Sequence, residues 1–377
     1  MVRKTGFFMF ILAAVAAGIA VALGIFCPVQ LRAQEKAPAF EVDPSWPKPF
    51  PDGWVTGELG GVCVDAQDDV FITNRRDLTE IETESSHQAP PVIEIGPDGN
   101  VVNSFGDPNV VPMRPHGCFV DNKNNFWIVG AGDGIAQEYS HDGSKLLLQI
   151  GTRGVYDTTD GTIWGRALNS SHTQFFKPAD IAVDPANGDV YVSDGYGNRR
   201  VAVFNRNGQF LRQWGQQGTK AEVAAHKPGV FMQVVHSVVI GNDGLVYVCD
   251  RQGDRIEVFD KMGNFKRNIF ISKDPFNIPK AWANSSPLKG GWGSAWDIAF
   301  SPDRAQKFMY VADGRDEIVW ILDRASGKIL SHFGRGGHQV GEFTHCHAIA
   351  TDSKGNIYVA ESVEGRRVQK FKIVNRQ

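Results

Sequence analysis

The sequence lacks several features that indicate common classes of protein. Its 377 residues carry a formal net charge of −3 and no basic stripe with interleaved aromatic residues, so nothing supports nucleic acid as a partner. There is no CxxC pair, so nothing suggests a cysteine-based zinc site. After residue 40, no segment of convincing length shows the hydrophobic period of a helix. What remains is a chain rich in glycine and aromatic residues, which suits a fold of many turns and stacked sheets.

The first 33 residues differ in kind from the rest. Arg3 and Lys4 precede an uncharged apolar run from residue 6 to residue 29. The run is longer than the usual signal core of roughly 7–15 residues and approaches the roughly 20 residues that span a bilayer. We predict that residues 1–33 are a signal peptide or an N-terminal membrane anchor. The rest of the chain is then exported, as a periplasmic, extracellular or outward-facing membrane-attached protein.

A strand–turn–strand segment recurs six times along the chain. Each copy has two runs of β-forming residues, separated by a turn rich in Asp, Asn and Gly. The copies follow one another at intervals of 51 to 63 residues, close to the roughly 50-residue period of kelch-type repeats, which leaves room for two more strands per copy. Aligned on the first apolar run, the copies begin at Gly60, His116, Ala179, His236, Trp296 and His347.

These repeats predict an all-β fold: a six-bladed β-propeller over residues 40–377, with four-stranded antiparallel blades around a central channel. The last copy supplies only one further strand near the C-terminus. We therefore expect a stretch from the N-terminal side, either Phe40 to Asp43 or the segment near Trp54, to complete that blade. A β-sandwich or a β-solenoid is the alternative, and the near-constant spacing argues against both.

Four cysteines lie beyond the N-terminal segment: Cys63, Cys118, Cys249 and Cys346. Three of them fall inside apolar β runs, where a buried thiol acts as a small hydrophobic side chain. Cys63 and Cys118 belong to strands of different blades. We therefore predict that these two residues do not form a disulfide with each other.

Histidine begins three of the six copies, and these are copies two, four and six. The first residue of an innermost strand faces the channel, and alternate blades of a six-bladed ring stand about 120° apart. His116, His236 and His347 are therefore expected to point at one place. Three neutral imidazoles about 2.0–2.1 Å from a common point would form a zinc site with an open fourth position, as in catalytic zinc sites. Iron and copper also accept imidazole ligands.

Further polar residues follow the second β run of three copies: Arg75, Tyr196 and Arg251. Their loops are expected to rim the same mouth of the channel. A guanidinium cannot act as a base at neutral pH, but it can hold a carboxylate or stabilise a neighbouring phenolate. Tyr196 is therefore the candidate general base. The alternative is that Tyr196 is a turn residue packed on an adjacent blade.

At these residues the chain resembles a known family, the peptidyl-α-hydroxyglycine α-amidating lyases, which are six-bladed propellers of NHL-type repeats. The stretch FFKPADIAVDPANGDVYVSDGYGNRRVAVFNRNGQFLRQWG, residues 175–215, is similar to the family signature nearly from end to end. The PHG at residues 115–117, the HS at 236–237 and the DR at 250–251 also resemble family motifs. The similarity extends over the six copies.

The resemblance implies a site and a reaction. It implies zinc held by His116, His236 and His347, Tyr196 as the base, and Arg251 and Arg75 binding the substrate carboxylate. The base takes the hydroxyl proton of a peptidyl-α-hydroxyglycine, the C–N bond breaks, and a peptide amide and glyoxylate leave. The implied substrate is a small peptide or another carbinolamide, and a separate copper monooxygenase would have to supply it.

The chain departs from the family pattern at one position next to the histidines. The third family histidine is typically followed by an Asp that contributes to a structural calcium site, whereas this chain has Ala348. A calcium site in this chain would therefore have to form without that carboxylate.

Two other functions remain alternatives. One is a propeller hydrolase that depends on a metal, although lactonase-like enzymes usually use acidic and amide ligands at the axis. The other is a non-catalytic NHL-repeat scaffold, because the fold alone does not decide function.

Overall fold

A computed structural model describes residues 36–271 and 292–374 of the chain. The predicted signal or anchor segment, residues 1–33, lies outside these described residues. Six four-stranded antiparallel sheets follow one another in the order of the six sequence copies. The first strand of each sheet contacts the first strands of the two neighbouring sheets, and the last sheet contacts the first. The sheets therefore form the six blades of a closed propeller, as predicted.

Each blade has four strands, which follow one another from the channel outward. Blade 1 consists of Leu59–Val64, Val70–Asn74, Val92–Ile95 and Val101–Phe105. Blade 2 consists of Pro115–Val120, Phe126–Gly130, Ile135–Tyr139 and Leu146–Ile150. Blade 3 consists of Asp180–Val183, Val190–Asp194, Arg200–Phe204 and Phe210–Trp214.

The other three blades have the same arrangement. Blade 4 consists of Val235–Ile240, Leu245–Asp250, Arg255–Asp260 and Phe265–Phe270. Blade 5 consists of Asp297–Phe300, Phe308–Asp313, Ile318–Asp323 and Lys328–Phe333. Blade 6 consists of Cys346–Thr351, Ile357–Glu361, Val368–Val374 and, from the N-terminal side, Ala39–Val42.

The outer strand of blade 6 closes the ring. Ala39 pairs with Val374 and Val42 with Phe371, in antiparallel register. This confirms the first of the two predicted alternatives. The second, the segment near Trp54, instead forms a short parallel pair with His87–Gln88.

The Asp-rich turns follow a repeated hydrogen-bond pattern. The Oδ1 atom of Asp121 accepts hydrogen bonds from the backbone amides of Lys123 and Asn125, at 2.8 and 2.9 Å. Asp65 and Asp352 bind the amides two and four residues further on in the same way. An Asp at the end of the inner strand thus fixes the turn by substituting for backbone acceptors. This is why the motif recurs in the sequence.

Helices are few and short in the described residues. They comprise Glu80–Ser85 and Lys220–Ala224, with 3₁₀ turns at Pro51–Gly53 and Arg251–Gly253. Within residues 36–271 and 292–374, none is long and apolar enough to cross a membrane.

The prediction for Cys63 and Cys118 was wrong, because the two residues form a disulfide. They lie on the inner strands of blades 1 and 2, which run side by side around the channel. Their Cα atoms are 5.8 Å apart, within the usual range for a disulfide. Membership of different blades therefore did not imply a large distance. Cys249 and Cys346 are free and buried, as expected.

We expect loss of this disulfide to lower the free energy of unfolding by about 2–4 kcal/mol, because the bridge restricts the unfolded chain over a long loop. Urea unfolding of the oxidised protein and of the Cys63→Ala/Cys118→Ala variant measures the difference. Dithiothreitol should lower the midpoint of the native protein and leave that of the variant unchanged. Equal midpoints for the two oxidised proteins would contradict the prediction.

Candidate metal centre

The three histidines occupy the same position in their blades. His116, His236 and His347 are each the second residue of an inner strand. At that position the pairing with the next strand of the blade is interrupted by a register shift in all three blades. An irregularity of this kind bends the strand and re-aims a side chain. Blade 1, which carries Gly60 at this position, has the same shift, whereas the inner pairing is regular in blades 3 and 5.

The structure brings the three imidazoles together at the centre of the ring. One ring nitrogen from each histidine lies within 4.8 Å of the others. The ring centroids are 5.1 Å apart between His116 and His236, 4.7 Å between His116 and His347, and 4.9 Å between His236 and His347. All three residues are at most 3% exposed. The group could hold a metal ion.

Burial and two nearby cations keep these imidazoles neutral. Burial is the main cause that holds the pKa of each histidine well below its usual value, and the Arg75 and Arg251 cations lower it further. A neutral imidazole has a lone pair available, which is the form that binds a metal. The histidines are therefore in the ligand state at neutral pH.

A backbone group of the neighbouring blade orients one of the rings. The Nδ1 atom of His236 lies 2.7 Å from the carbonyl oxygen of Trp296. Such a bond fixes the tautomer and directs Nε2 toward the metal position. His347 differs, because its buried Nδ1 atom has no hydrogen-bond partner.

Tyr196 reaches the same point from blade 3. Its hydroxyl oxygen is 3.2 Å from Nε2 of His116 and 3.0 Å from Nε2 of His236. The preceding Gly195 permits this approach, because a Cβ atom there would come within 1.9 Å of the carbonyl oxygen of Val235. Tyr196 therefore does not pack as a turn residue away from the centre. It places a phenol against two candidate ligands.

Arg251 lies directly behind the tyrosine. Its Nη1 atom donates to the Tyr196 hydroxyl at 3.4 Å, and its guanidinium lies 4.5 Å from the ring centroid of Trp296. Its buried Nε atom has no hydrogen-bond partner. Arg251 is thus a buried cation with one unused donor beside the histidines.

Buried ion pairs hold the loops that carry these two residues. Asp194 and Arg200 flank the loop of Tyr196 and are joined at 2.9 Å, while Asp250 and Arg255 flank Arg251 and are joined at 3.0 Å. All four side chains are fully buried. Each pair ties the end of the second strand to the start of the third. This explains the acidic and basic residues in the SDGYGNRR and CDRQGDR motifs.

Arg75 has a different environment from Arg251. It is ion-paired with Glu58, and its Nη1 atom lies 3.2 Å from the Ser362 hydroxyl. The Glu58 carboxylate also accepts a hydrogen bond from Ser362 at 3.2 Å. The predicted carboxylate-binding arginine therefore already holds a carboxylate of the protein itself.

Sequence reasoning missed three residues around the centre. Trp296 was aligned with the histidines but received no role, although it contacts both His236 and Arg251. Glu58 and Ser362 were not identified. Glu58 precedes the first copy and Ser362 lies 304 residues further on, so no spacing in the sequence connects them.

The donor set fits zinc and does not contain the usual calcium ligand. Three neutral imidazoles match the protein ligands of a catalytic zinc ion, and their buried nitrogens converge within 4.8 Å. Ala348, the residue after the third histidine, offers no carboxylate, as the sequence indicated.

The predicted family resemblance is confirmed by comparison with known proteins. A model of the NHL repeat matches residues 175–204. The chain is 25% identical over 386 residues to peptidyl-glycine alpha-amidating monooxygenase B of Xenopus laevis, which covers 89% of this chain and 41% of the frog protein. It is 27% identical over 266 residues to peptidyl-alpha-hydroxyglycine alpha-amidating lyase 1 of Drosophila melanogaster, covering 68% and 44%. The chain spans about two fifths of the length of these relatives.

Another relative has a name that states no reaction. NHL repeat-containing protein 3 of Mus musculus is 27% identical over 356 residues, covering 89% of this chain and 84% of that protein. Among solved structures, a streptogramin B lyase superposes with a TM-score of 0.52 at 13% identity, covering 90% of this chain and 98% of the other. At that identity the likeness concerns the fold alone, and it agrees with the six-bladed propeller.

Proposed function

We propose that this chain, similar to the amidating lyases, is a zinc-dependent carbon–nitrogen lyase. It would act like a peptidylamidoglycolate lyase on a peptidyl-α-hydroxyglycine or a similar carbinolamide, and release an amide and glyoxylate. The observation that carries the proposal is the Tyr196 hydroxyl, 3.2 and 3.0 Å from two imidazoles of the triad and backed by Arg251. A scaffold has no need of this arrangement of a proton acceptor, a buried cation and three neutral imidazoles.

His116, His236 and His347 would hold the zinc, which when bound would polarise the substrate hydroxyl or carbonyl oxygen as a Lewis acid. Tyr196, as the phenolate, removes the proton from the substrate hydroxyl. The electron pair of that O–H bond forms the C=O bond of glyoxylate, and the C–N bond breaks. The proton then goes to the departing nitrogen, which leaves as the peptide amide. Arg251 stabilises the phenolate before the transfer, because its guanidinium touches the hydroxyl oxygen.

The two arginines would have unequal roles in binding the substrate carboxylate. Arg251 has a buried donor without a partner, whereas Arg75 is neutralised by Glu58. A buried cation gains most from a new anionic partner, because its desolvation is otherwise uncompensated. Arg251 is therefore the proposed primary carboxylate ligand. Arg75 and Glu58 would form part of the wall of the site, and Arg251 would bind the single substrate carboxylate.

We also propose that the propeller functions outside the cytoplasm, either free or attached to the membrane through residues 1–33. The charged start and long apolar run of that segment support export. The Cys63–Cys118 disulfide supports it independently, because disulfides persist mainly in oxidising compartments. A separate monooxygenase would supply the hydroxylated substrate.

The test is the release of products from a synthetic peptidyl-α-hydroxyglycine. Purified protein should form peptide amide and glyoxylate in equal amounts, faster than the same solution without protein. A chelator should abolish the rate and added zinc should restore it. Bound metal without turnover would overturn the proposed substrate. Absence of both would favour the scaffold, the alternative that similarity to NHL repeat-containing protein 3 keeps in view.

A further inference from the structure

Three side chains that can ligate a metal meet between the turns of blades 1 and 2. Asp65 follows the inner strand of blade 1, Glu94 lies on the third strand of that blade, and His141 lies in the turn between the third and fourth strands of blade 2. One ligand atom of each lies within 4.8 Å of the others. The cluster is separate from the histidine triad, because Gly60 and Asp65 lie at opposite ends of one strand and Gly60 is the residue that adjoins His116.

The donor atoms are spaced as ligands of a single ion would be. The Nε2 atom of His141 is 2.8 Å from Oδ2 of Asp65 and 3.8 Å from Oε1 of Glu94. Ligand atoms about 2.0–2.2 Å from one transition-metal ion lie roughly 2.8–3.6 Å from one another. The other oxygen of Asp65, Oδ1, accepts hydrogen bonds from the amides of Gln67 and Asp69 at 2.8 Å each. These bonds fix the carboxylate with Oδ2 toward His141.

Glu94 provides an independent indication of a ligand. Its side chain is 5% exposed and lies on the same face of its strand as Val92, which packs in the core between blades 1 and 2. Within the described part of the chain, no Lys or Arg pairs with its carboxylate, and no hydrogen bond of normal geometry reaches it, although the Asn103 side chain is near enough to lower its pKa. Burial is the main cause that raises the pKa of Glu94, and the charges of Asp69 and Asp65 raise it further. A carboxylate in this position needs a proton or a cation.

A permanent cation occupies the equivalent place between blades 3 and 4. Lys261 of blade 4 corresponds to His141 of blade 2, because each is the third residue after the register shift between the third and fourth strands. The Nζ atom of Lys261 is 2.6 Å from Oδ2 of Asp184. Asp184 follows the inner strand of blade 3 as Asp65 follows that of blade 1. In this pair a lysine balances one carboxylate.

The cluster between blades 1 and 2 differs from that pair in two ways. An imidazole, which is a metal ligand, replaces the permanent cation. Glu94 adds a second carboxylate, whereas blade 3 has Val203 at the same register shift. Two carboxylates beside one neutral imidazole leave a charge that a divalent ion would balance. The His141 side chain is 34% exposed, so an ion and its water ligands can reach the cluster from solvent.

We propose that Asp65, Glu94 and His141 bind a divalent transition-metal ion that joins the turns of blades 1 and 2. Carboxylate and imidazole ligands together suit this class of ion, which includes Mn²⁺ and Zn²⁺. Because it has one imidazole against three, the site is expected to bind zinc more weakly than the triad. One equivalent of zinc therefore fills the triad first. The site is independent of the reaction proposed for the triad.

The test is Mn²⁺ binding to the full chain loaded with one equivalent of zinc, measured by the loss of the electron paramagnetic resonance signal of free Mn²⁺. The native chain should bind one Mn²⁺, and Mn²⁺ should raise the thermal midpoint. His141→Lys installs the cation found at Lys261, so the fold should be kept while Mn²⁺ binding is lost. Glu94→Gln should weaken binding by about tenfold or more. His172→Ala is the matched control and should bind Mn²⁺ normally, since this exposed imidazole stacks on Phe210.

A simple ion pair would give a different result. If a protonated His141 alone balanced the carboxylates, the native chain would bind no Mn²⁺, and His141→Lys would be at least as stable as the native chain at every Mn²⁺ concentration. The proposal is overturned by that result, or by Mn²⁺ binding in His141→Lys equal to that of the native chain. The zinc content of His236→Ala tests the triad instead, so the two sites can fail separately.

Discussion

Replacing Tyr196 by phenylalanine is expected to lower the rate of glyoxylate release by about 10²–10⁴-fold, the usual contribution of a general base. The phenyl ring can keep its contacts with His116 and His236, whose ring centroids lie 5.2 and 5.6 Å away. Only the hydroxyl group is lost, so the imidazoles stay in place. Steady-state kinetics with a peptidyl-α-hydroxyglycine measures the effect, and it should appear in kcat.

The metal content separates catalysis from structure in this variant. Tyr196→Phe should bind as much zinc as the native chain, because the three imidazoles supply the ligands. Tyr191→Phe is a matched control, since it removes a hydroxyl from a nearby strand of blade 3 that is not at the centre. Full activity in Tyr196→Phe would show that Tyr196 is not the general base. Loss of zinc together with activity would assign Tyr196 to the metal site instead.

The alignment of the six sequence repeats explains why so much of the site could be predicted. Equivalent positions of a propeller repeat occupy equivalent places around one axis, so His116, His236 and His347 had to converge once the copies were aligned. The same reasoning placed Tyr196 and Arg251 on loops that follow the second strand of neighbouring blades. In the structure, the Nη1 atom of Arg251 lies 3.4 Å from the hydroxyl oxygen of Tyr196.

Local backbone detail could not be predicted in the same way. The register shifts at the three histidines interrupt the pairing of the inner strands, and the hydrophobic pattern of the repeat does not predict them. The Cys63–Cys118 disulfide depends on the lateral distance between inner strands, which the sequence periodicity does not contain.

Contacts between distant segments were the other omission. Glu58 meets Arg75 and Ser362 because the first and last blades adjoin where the ring closes. The sequence indicated that a ring closes, but not which side chains meet at the junction. A role in binding a carboxylate was therefore predicted equally for Arg75 and Arg251. Only the structure separates an arginine that has a partner from one that does not.

Replacing His236 by alanine is expected to weaken zinc binding by more than about 100-fold. Loss of an outer hydrogen-bond partner of a metal ligand already costs roughly 10–100-fold in affinity, and this change removes a ligand itself. The His236 ring also forms the link from the centre to the Trp296 carbonyl. Turnover should fall with the metal content, as measured by metal analysis after dialysis and by glyoxylate release.

Thermal unfolding with and without zinc tests the same prediction without any substrate. An ion that binds only the folded chain stabilises it by about 2.7 kcal/mol when its concentration is 100 times Kd. The native protein should therefore gain stability with zinc, and His236→Ala should gain little at the same concentration. His172→Ala should behave like the native protein, because the His172 ring stacks on Phe210, away from the triad. Burial keeps the native imidazoles neutral and therefore able to bind zinc. If zinc stabilised His236→Ala as much as the native protein, zinc would bind elsewhere, and the three-histidine site would be wrong.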